Sequence, residues 1–540
     1  MRDSRDSDGR QSGSNFTPAS PEYIGAYPRP DWANLVNFLA SHEAQVGHAH
    51  SAHAQSESSL ETFALLHDIK TGSITKFSAS EAGLEEFTAH RPPSSSSLLF
   101  LRGFASPAWL LRTKEIYKAS EDFYRCHLDF TAFRTSGSRD FYTVPSLPSS
   151  HAHVFQLKIP TIFTRTVVPF SHEPEDLETA RQQERDAMKK YFQSFRRKAR
   201  VSDSMVRKWL ILSKRTCVLE QNVTVEIGRS KDSNSCRAIV WLDTGKELAE
   251  SIQGPWSPRP GKNIWETFLH PVIVPRATKQ IGASNPAFII KSSNRKAAQN
   301  ICHLPFEYGA HLNRELASRD VMYALSELLH FAASAEIQFL NVLQKYMNHE
   351  LSFVGAPEIA HGHSVSLLNL RYIKMQLSSH SQSLAEVASL LRNRSSLDWP
   401  LVTKDEDYEL ATIADKTATL QLQDFEYLLQ RAVMLSHECD QGMATLANSS
   451  ALEESRRHAS MAVKVQRLTI IGTIFIPLSF ACSVWGMNVA ELGSGPKSIS
   501  MWFATAGPVL FISYVIYKWD TIVYYWNRRA TGRKAEVGPA

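Results

Sequence analysis

Ile476, Ser479, Ser483 and Met487 recur at steps of three and four residues, so a helix through them carries all four on one face. No charged side chain interrupts the chain from Leu468 to Ala490, and lipid would waste the two hydroxyls in that stripe. Two readings fit: the hydroxyls line a polar pathway, or they bond back to their own helix and let helices approach closely. Just beyond the stripe stand Trp485, an aromatic suited to a membrane interface, and Gly486, which can leave helical dihedrals freely. Asn488 follows and places an amide where an apolar helix would meet water. The chemistry on offer is hydrogen bonding by hydroxyls and an amide, with no nucleophile or acid–base pair among these residues.

The elements that would position this stripe are two helices. A helix rises about 1.5 Å per residue, so the uncharged run suffices to cross a hydrocarbon core of about 30 Å. A second uncharged run, Ser498 to Tyr517, ends at Lys518 and makes a hairpin with the first. Arg456, Arg457, Lys464 and Arg467 precede the pair, and Lys518, Arg528, Arg529, Arg533 and Lys534 follow it, whereas the loop holds only Glu491 and Lys497. The positive-inside rule then sets both termini and the large N-terminal part in the cytosol. The first span is expected to continue upstream as a long helix from about Asp405. On it Phe425, Leu429, Ala432, Ser436, Cys439, Met443, Leu446 and Ser450 step by four and three, which reads as a bundle helix or as a stalk whose copies meet around an axis. Leu370, Ile373, Leu377, His380, Leu384, Val387 and Leu391 form a similar seam on a preceding helix, with His380 as a hydrogen-bonded core residue. Leu316 to Met347 reads as a third long helix.

Upstream, short apolar runs with turn punctuation indicate strands at TFALLHDI, ITKF, SLLFLRG, VFQLKI, TIFTRTVV, TCVLEQNVTVEI and RAIVWLD. Helices are expected from Ser106-Pro107 to about Lys118 and from Glu175 to Arg200. The fold class is α+β: a cytosolic mixed α/β domain, long stalk helices and a C-terminal transmembrane hairpin. The expected divisions are a disordered tail over 1–57, the α/β domain over 58–314, the helix bundle and stalk over 315–467, the hairpin over 468–520 and a basic tail over 521–540. Net charge is +5 over 540 residues, which implies neither nucleic acid nor a strongly acidic partner. Six cysteines lie scattered without CxxC spacing, as suits reduced thiols in the cytosol. No phosphate-cradling glycine loop, HExxH or Gly-x-Ser-x-Gly elbow is present, so an enzyme is not expected, nor a cofactor. His42, His48, His50 and His53 sit in the polar tail, where solvation competes with loose metal binding. The absence of an acid-poor transit peptide favours the plasma membrane over a vacuolar or mitochondrial one.

LTIIGTIFIPLSF, then Trp485-Gly486-Met487-Asn488, a short loop and a last apolar helix together resemble the CorA-like divalent-cation transporters, in particular their fungal branch. The resemblance implies a homopentamer passing divalent cations, Mg²⁺ foremost, with Gly486, Met487 and Asn488 as selectivity filter. Asn488 would be the metal-facing group, with Ile476 and Ser479 turned to the pore. Ser483 shares their stripe, and Glu491 would concentrate cations at the mouth. Mg²⁺ sheds water reluctantly, so a ring of amide oxygens can accept hydrogen bonds from the hydrated ion without stripping it. By the same resemblance Asp68, Glu220, Asp243 and Glu247 are candidates for a metal-sensing site between subunits, with solvated surface as the alternative reading and none of them aligned with a family ligand. Trp485 stands where the family more commonly has tyrosine, and the loop lacks its Met-Pro-Glu. The rival reading is a membrane-anchored oligomeric scaffold or metal sensor that does not conduct.

Overall fold

The computed structural model describes residues 61–90, 96–128, 153–165, 177–228, 236–257, 267–274, 300–352, 360–485 and 499–519. The tails expected over 1–57 and 521–540 lie outside them. Two compact units divide the chain, one of residues 1–356 and 364–443 and the other of residues 357–363 and 444–540.

The first unit is built on a mixed, eight-stranded sheet. β1 (Thr62–Asp68) and β2 (Ile74–Ser78) form the expected antiparallel hairpin. Its turn is closed by the Asp68 carboxylate, which accepts the amides of Lys70 and Thr71, and by Gly72 at φ +72°. α1 (Glu81–Ala89) follows, its first turn capped by the Ser80 hydroxyl, which accepts from Gly83 N–H. β3 (Ser97–Arg102) is buried along its whole length. Pro107 opens α2 (Pro107–Tyr117), where a missing N–H costs nothing, and α3 (Glu121–Leu128) comes next.

β4 (Val154–Arg165) is one strand of 12 residues where the sequence suggested two. Pro160 lies between those two stretches, and a proline removes a donor from a ladder, so it would interrupt a strand paired on both edges. Yet β4 pairs with β8 only at Phe163, Thr164 and Arg165, so at Pro160 its second edge has no strand partner among the described residues and the missing donor is tolerated. α4 (Leu177–Lys198), β5 (Lys208–Ile211), β6 (Thr216–Gly228), β7 (Arg237–Leu242) and β8 (Thr267–Leu269) complete this part. The strand order is β2-β1-β3-β7-β6-β4-β8 with β5 on β6, and β3–β7 is a parallel pair.

One face of the sheet meets α1 to α4 through Phe87, Trp109, Phe123, Tyr124, Tyr191 and Phe195, which join Phe63, Leu99 and Trp241 in one core. The other face is covered by helices from the second half of the chain. There Phe100 meets the ring of Tyr308 at 4.9 Å. That half begins with α5 (Leu304–Glu307), α6 (Arg314–Arg319) and α7 (Val321–Ala324), followed by α8 (Ser326–Ser352), α9 (Ala360–Arg392) and α10 (Tyr408–Trp485). The helix expected to run from Leu316 is therefore broken before Ser326. Asp320 leaves helical dihedrals and its carboxylate accepts from Tyr323 N–H, ending one turn and capping the next.

The α9 seam is buried at every expected position, from Leu370 to Leu391. Asp407 starts α10 by accepting from the amides of Glu409 and Leu410. Within the first unit α10 is tied to α9 by Lys374–Asp440 at 2.6 Å and by Arg392–Glu426, and to α8 by Arg431, which donates to Asn341 and Gln344. At Gly442 a Cβ would stand 2.2 Å from Leu351 of α8, so glycine permits that close approach. Phe425, Ala432 and Cys439 are buried in this core. Those three rungs of the seam read as a meeting line between copies are thus spent inside the chain.

The second unit contains the first residues of α9, the remainder of α10 and α11 (Ile499–Tyr517). Both helices are long and apolar enough to cross a membrane, and only 6% of each apolar window is buried, unlike the core helix of a soluble domain. The mixed α/β part, the long helices and the two apolar C-terminal helices agree with the expected fold class.

Candidate functional site

Ile476, Ser479 and Ser483 fall on one face of α10, as their spacing requires, and all three are exposed, Ile476 at 70%. The Ser479 hydroxyl donates to the carbonyl oxygen of Ile476 at 2.9 Å, three residues back. Thr469 and Thr473 donate likewise to the carbonyls of Val465 and Thr469, each at 2.8 Å. Such back-bonding lets a hydroxyl stand on an apolar helix, and each oxygen retains acceptor capacity besides its donation. Pro477 sits inside the helix and is buried. Ala481 of α10 and Ala506 of α11 are also buried, small side chains of the kind that let apolar helices approach.

The stripe is longer than the sequence reading made it. Thr469 and Gly472 precede Ile476 by steps of three and four and continue the same face toward the basic end of the span. A Cβ on Gly472 would meet nothing closer than Ile476 at 3.9 Å, so this glycine leaves the face open. Extending the period upstream would have found both. Gly486, Met487, Asn488 and Glu491 lie outside the described residues, as do the histidines of the N-terminal tail.

Two of the four acids considered for a sensing site, Asp243 and Glu220, behave differently from surface carboxylates. Asp243 is fully buried and accepts two hydrogen bonds from the Arg207 guanidinium, at 2.6 and 2.9 Å, while His127 Nε2 stands 3.1 Å away. Burial would raise the Asp243 carboxyl, but Arg207 and then His127 outweigh it and hold the pKa below the usual range. Burial, with Arg207 adding to it, pushes His127 down to about 4, so the ring is neutral at pH 7. That imidazole stacks on Trp241 at 4.0 Å between centroids.

Glu220 of β6 lies 3.3 Å from His380 Nε2 of α9, and Glu336 of α8 accepts from His380 Nδ1 at 2.8 Å. Lys208 of β5 reaches Glu220 at 3.2 Å, and Lys158 of β4 donates to the Ser379 carbonyl at 2.9 Å. Burial would depress the His380 pKa, but Glu336 and Glu220 overcome it and raise it to about 9. The same balance works in reverse on Glu220: burial would raise it, while His380, Lys208 and Lys158 bring it to about 2. A charged imidazolium thus joins the sheet to two helices. Asp68 is spent on its turn and Glu247 is an exposed loop acid. Glu220 and Asp243 are therefore structural, which corrects their reading as sensing ligands, and among the described residues no group of three His, Cys, Asp or Glu could hold a metal.

Comparison with known proteins finds a family similarity over the helical half of the chain. Residues 313–518 match the family model described as CorA-like Mg2+ transporter protein. Two Schizosaccharomyces pombe proteins named as metal ion transporters are similar over shorter stretches. One is 26% identical over 145 residues, covering 26% of this chain and 22% of the relative. The other is 28% identical over 129 residues, covering 23% of this chain and 15% of the relative. The chain therefore spans about a fifth of these relatives' length or less. A solved structure, that of the full-length CmaX protein, is a loose likeness: TM-score 0.35 and 12% identity, with 86% of this chain and 99% of that chain covered. The long helices and the apolar pair, residues 313–518, are thus the part of this chain that is similar to the CorA-like Mg2+ transporter family, a family of transporters rather than enzymes.

Proposed function

We propose that the chain is the subunit of a homo-oligomeric channel that passes divalent metal cations, Mg²⁺ foremost, across the plasma membrane with both termini in the cytosol. The observation that carries this reading is the face Thr469, Gly472, Ile476, Ser479 and Ser483 on the uncharged last stretch of α10, which leads, in sequence, to Gly486-Met487-Asn488. Two spans cannot enclose a path alone, so equivalent copies of α10 must gather around it, five by resemblance. Thr469, Ser479 and Ser483 then offer oxygens to a hydrated ion, Ile476 forms an apolar constriction, and an Asn488 ring selects at the outer end. Glu491 adds negative charge at the mouth. A divalent cation falling through 100 mV gains about 4.6 kcal/mol, enough to drive entry without another energy source.

Ion flux into proteoliposomes loaded with a Mg²⁺-sensitive dye tests this directly. Native protein passes Mg²⁺, and Asn488→Ala abolishes the flux or opens it to Zn²⁺ and Co²⁺ alike. An inserted, oligomeric native protein that passes none of these ions would be the non-conducting scaffold or sensor instead.

A further inference from the structure

Four cations stand on α10 just ahead of its uncharged last stretch, and they share one side of the helix. Arg456, Arg457, Lys464 and Arg467 all lie in the second unit and all are exposed. At 100° per residue the four fall within one sector of about 100°. Arg457 is paired with Glu453 at 2.6 Å, while Arg456, Lys464 and Arg467 make no ion pair among the described residues. Ile471, Ile474, Phe475 and Leu478 continue the same sector into the uncharged stretch, and the first three are exposed. The hydroxyl stripe from Thr469 to Ser483 is centred about 130° away around the helix. The cations thus stand over the apolar side of the span, not over the side that carries the hydroxyls. A preference for basic residues at the cytosolic end of a span fixes no side of the helix, so it is the shared sector that calls for a ligand.

We propose that this sector binds anionic phospholipid of the cytosolic leaflet, its headgroup on Lys464 and Arg467 and its acyl chains along Ile471, Ile474, Phe475 and Leu478. Charge complementarity selects an anion, and the apolar stripe directly beyond the cations selects a lipid over a soluble anion or an acidic peptide. Arg467 adjoins the uncharged run, and Lys464 stands about 5 Å further along the axis. Both therefore fall within a headgroup layer about 5–8 Å deep. Their long stems lie on apolar surface while the charges reach the phosphates. Arg456 and Arg457 rise about 15–17 Å above Arg467, roughly a Debye length beyond that layer, where they add attraction without contact. The inference rests on α10 crossing the membrane, as the proposed function does, but not on conduction.

The test uses the full-length protein in detergent, titrated with dioleoyl phosphatidylserine and separately with dioleoyl phosphatidylcholine, bound lipid being counted by native mass spectrometry. The native chain should prefer phosphatidylserine, and Lys464→Gln with Arg467→Gln should cut that preference about 30-fold. A second variant keeps the net charge and moves it. Lys464→Ala, Ala462→Lys, Gln466→Arg and Arg467→Gln together place both cations at exposed positions about 130° or more from the middle of the sector. It should bind phosphatidylserine as weakly as the neutralised variant. A native chain that takes up both lipids alike, or an undiminished preference in either variant, overturns the inference. The first outcome leaves the cations to an acidic protein, and the second leaves the attraction to net charge alone. A native chain that shows the preference at this face yet passes no ion in the dye assay removes the channel and leaves the lipid site standing.

Discussion

Replacing His380 by leucine should destabilise the first unit by about 3–5 kcal/mol, the usual cost of removing one partner from a buried charged set. The imidazole is 1% exposed and touches carboxylates on both sides, Glu220 and Glu336. Without it Glu220 keeps Lys208 at 3.2 Å, whereas Glu336 loses the imidazole that donates to it. A second route gives a similar figure: raising the histidine from 6.5 to about 9 is worth about 3 kcal/mol. The sign of the pH dependence follows. Because the folded pKa is raised, the stabilisation is complete below about 6.5 and is lost as pH rises through about 9. Glu220 is depressed to about 2, so its share is present above about 4.5 and is lost as pH falls toward 2. The gap between native and His380→Leu should therefore be widest between those limits, near pH 5 to 6 in rough terms, and narrow toward alkali. Urea unfolding of the full chain in detergent, followed by tryptophan fluorescence at several pH values, measures it. The double variant His380→Leu/Glu336→Leu should recover part of the loss, since it removes the stranded carboxylate as well. A His380→Leu protein as stable as the native chain, or a gap that does not change with pH, would refute the reasoning.

Arg207→Met leaves the buried Asp243 beside a neutral His127 and should cost about 3–5 kcal/mol in the same urea assay; a change below 1 kcal/mol would show that the guanidinium is dispensable. Gly103→Ala should cost at least about 1–2 kcal/mol, because the residue sits at φ +71° and a Cβ would stand 2.6 Å from the Asp203 carbonyl oxygen. A thermal midpoint equal to that of the native chain would contradict this. In the span, Ile476→Ser should raise Mg²⁺ flux by wetting the constriction, and Ser483→Leu should lower it; the opposite order in the proteoliposome assay would put that face against lipid.

The spans, the strands and the charge asymmetry around the hairpin were legible because each is a local property of composition and period. Residues Leu468 to Ala490 are long and uncharged whatever they touch, and TCVLEQNVTVEI is a strand by its β-branched residues. α1 was legible too, through Ser80 ahead of Glu81, but nine residues make a weak period and it was passed over. VFQLKI and TIFTRTVV stand on either side of Pro160, and a proline's cost depends on which edge of the strand is paired. That is decided by a neighbour far along the chain. The acids show the same limit: Glu220 and Asp243 read like Asp68 and Glu247, and only the arrival of His380, Lys208 and Arg207 makes them buried, charged and structural. On α10 the sequence determined that apolar residues repeat at sevens, but two rows do so: Phe425, Ala432 and Cys439, and Leu420, Tyr427 and Met434. Which row is spent on the core depends on where α8 and α9 pack, and a helix carries the same period on every side until a partner covers one.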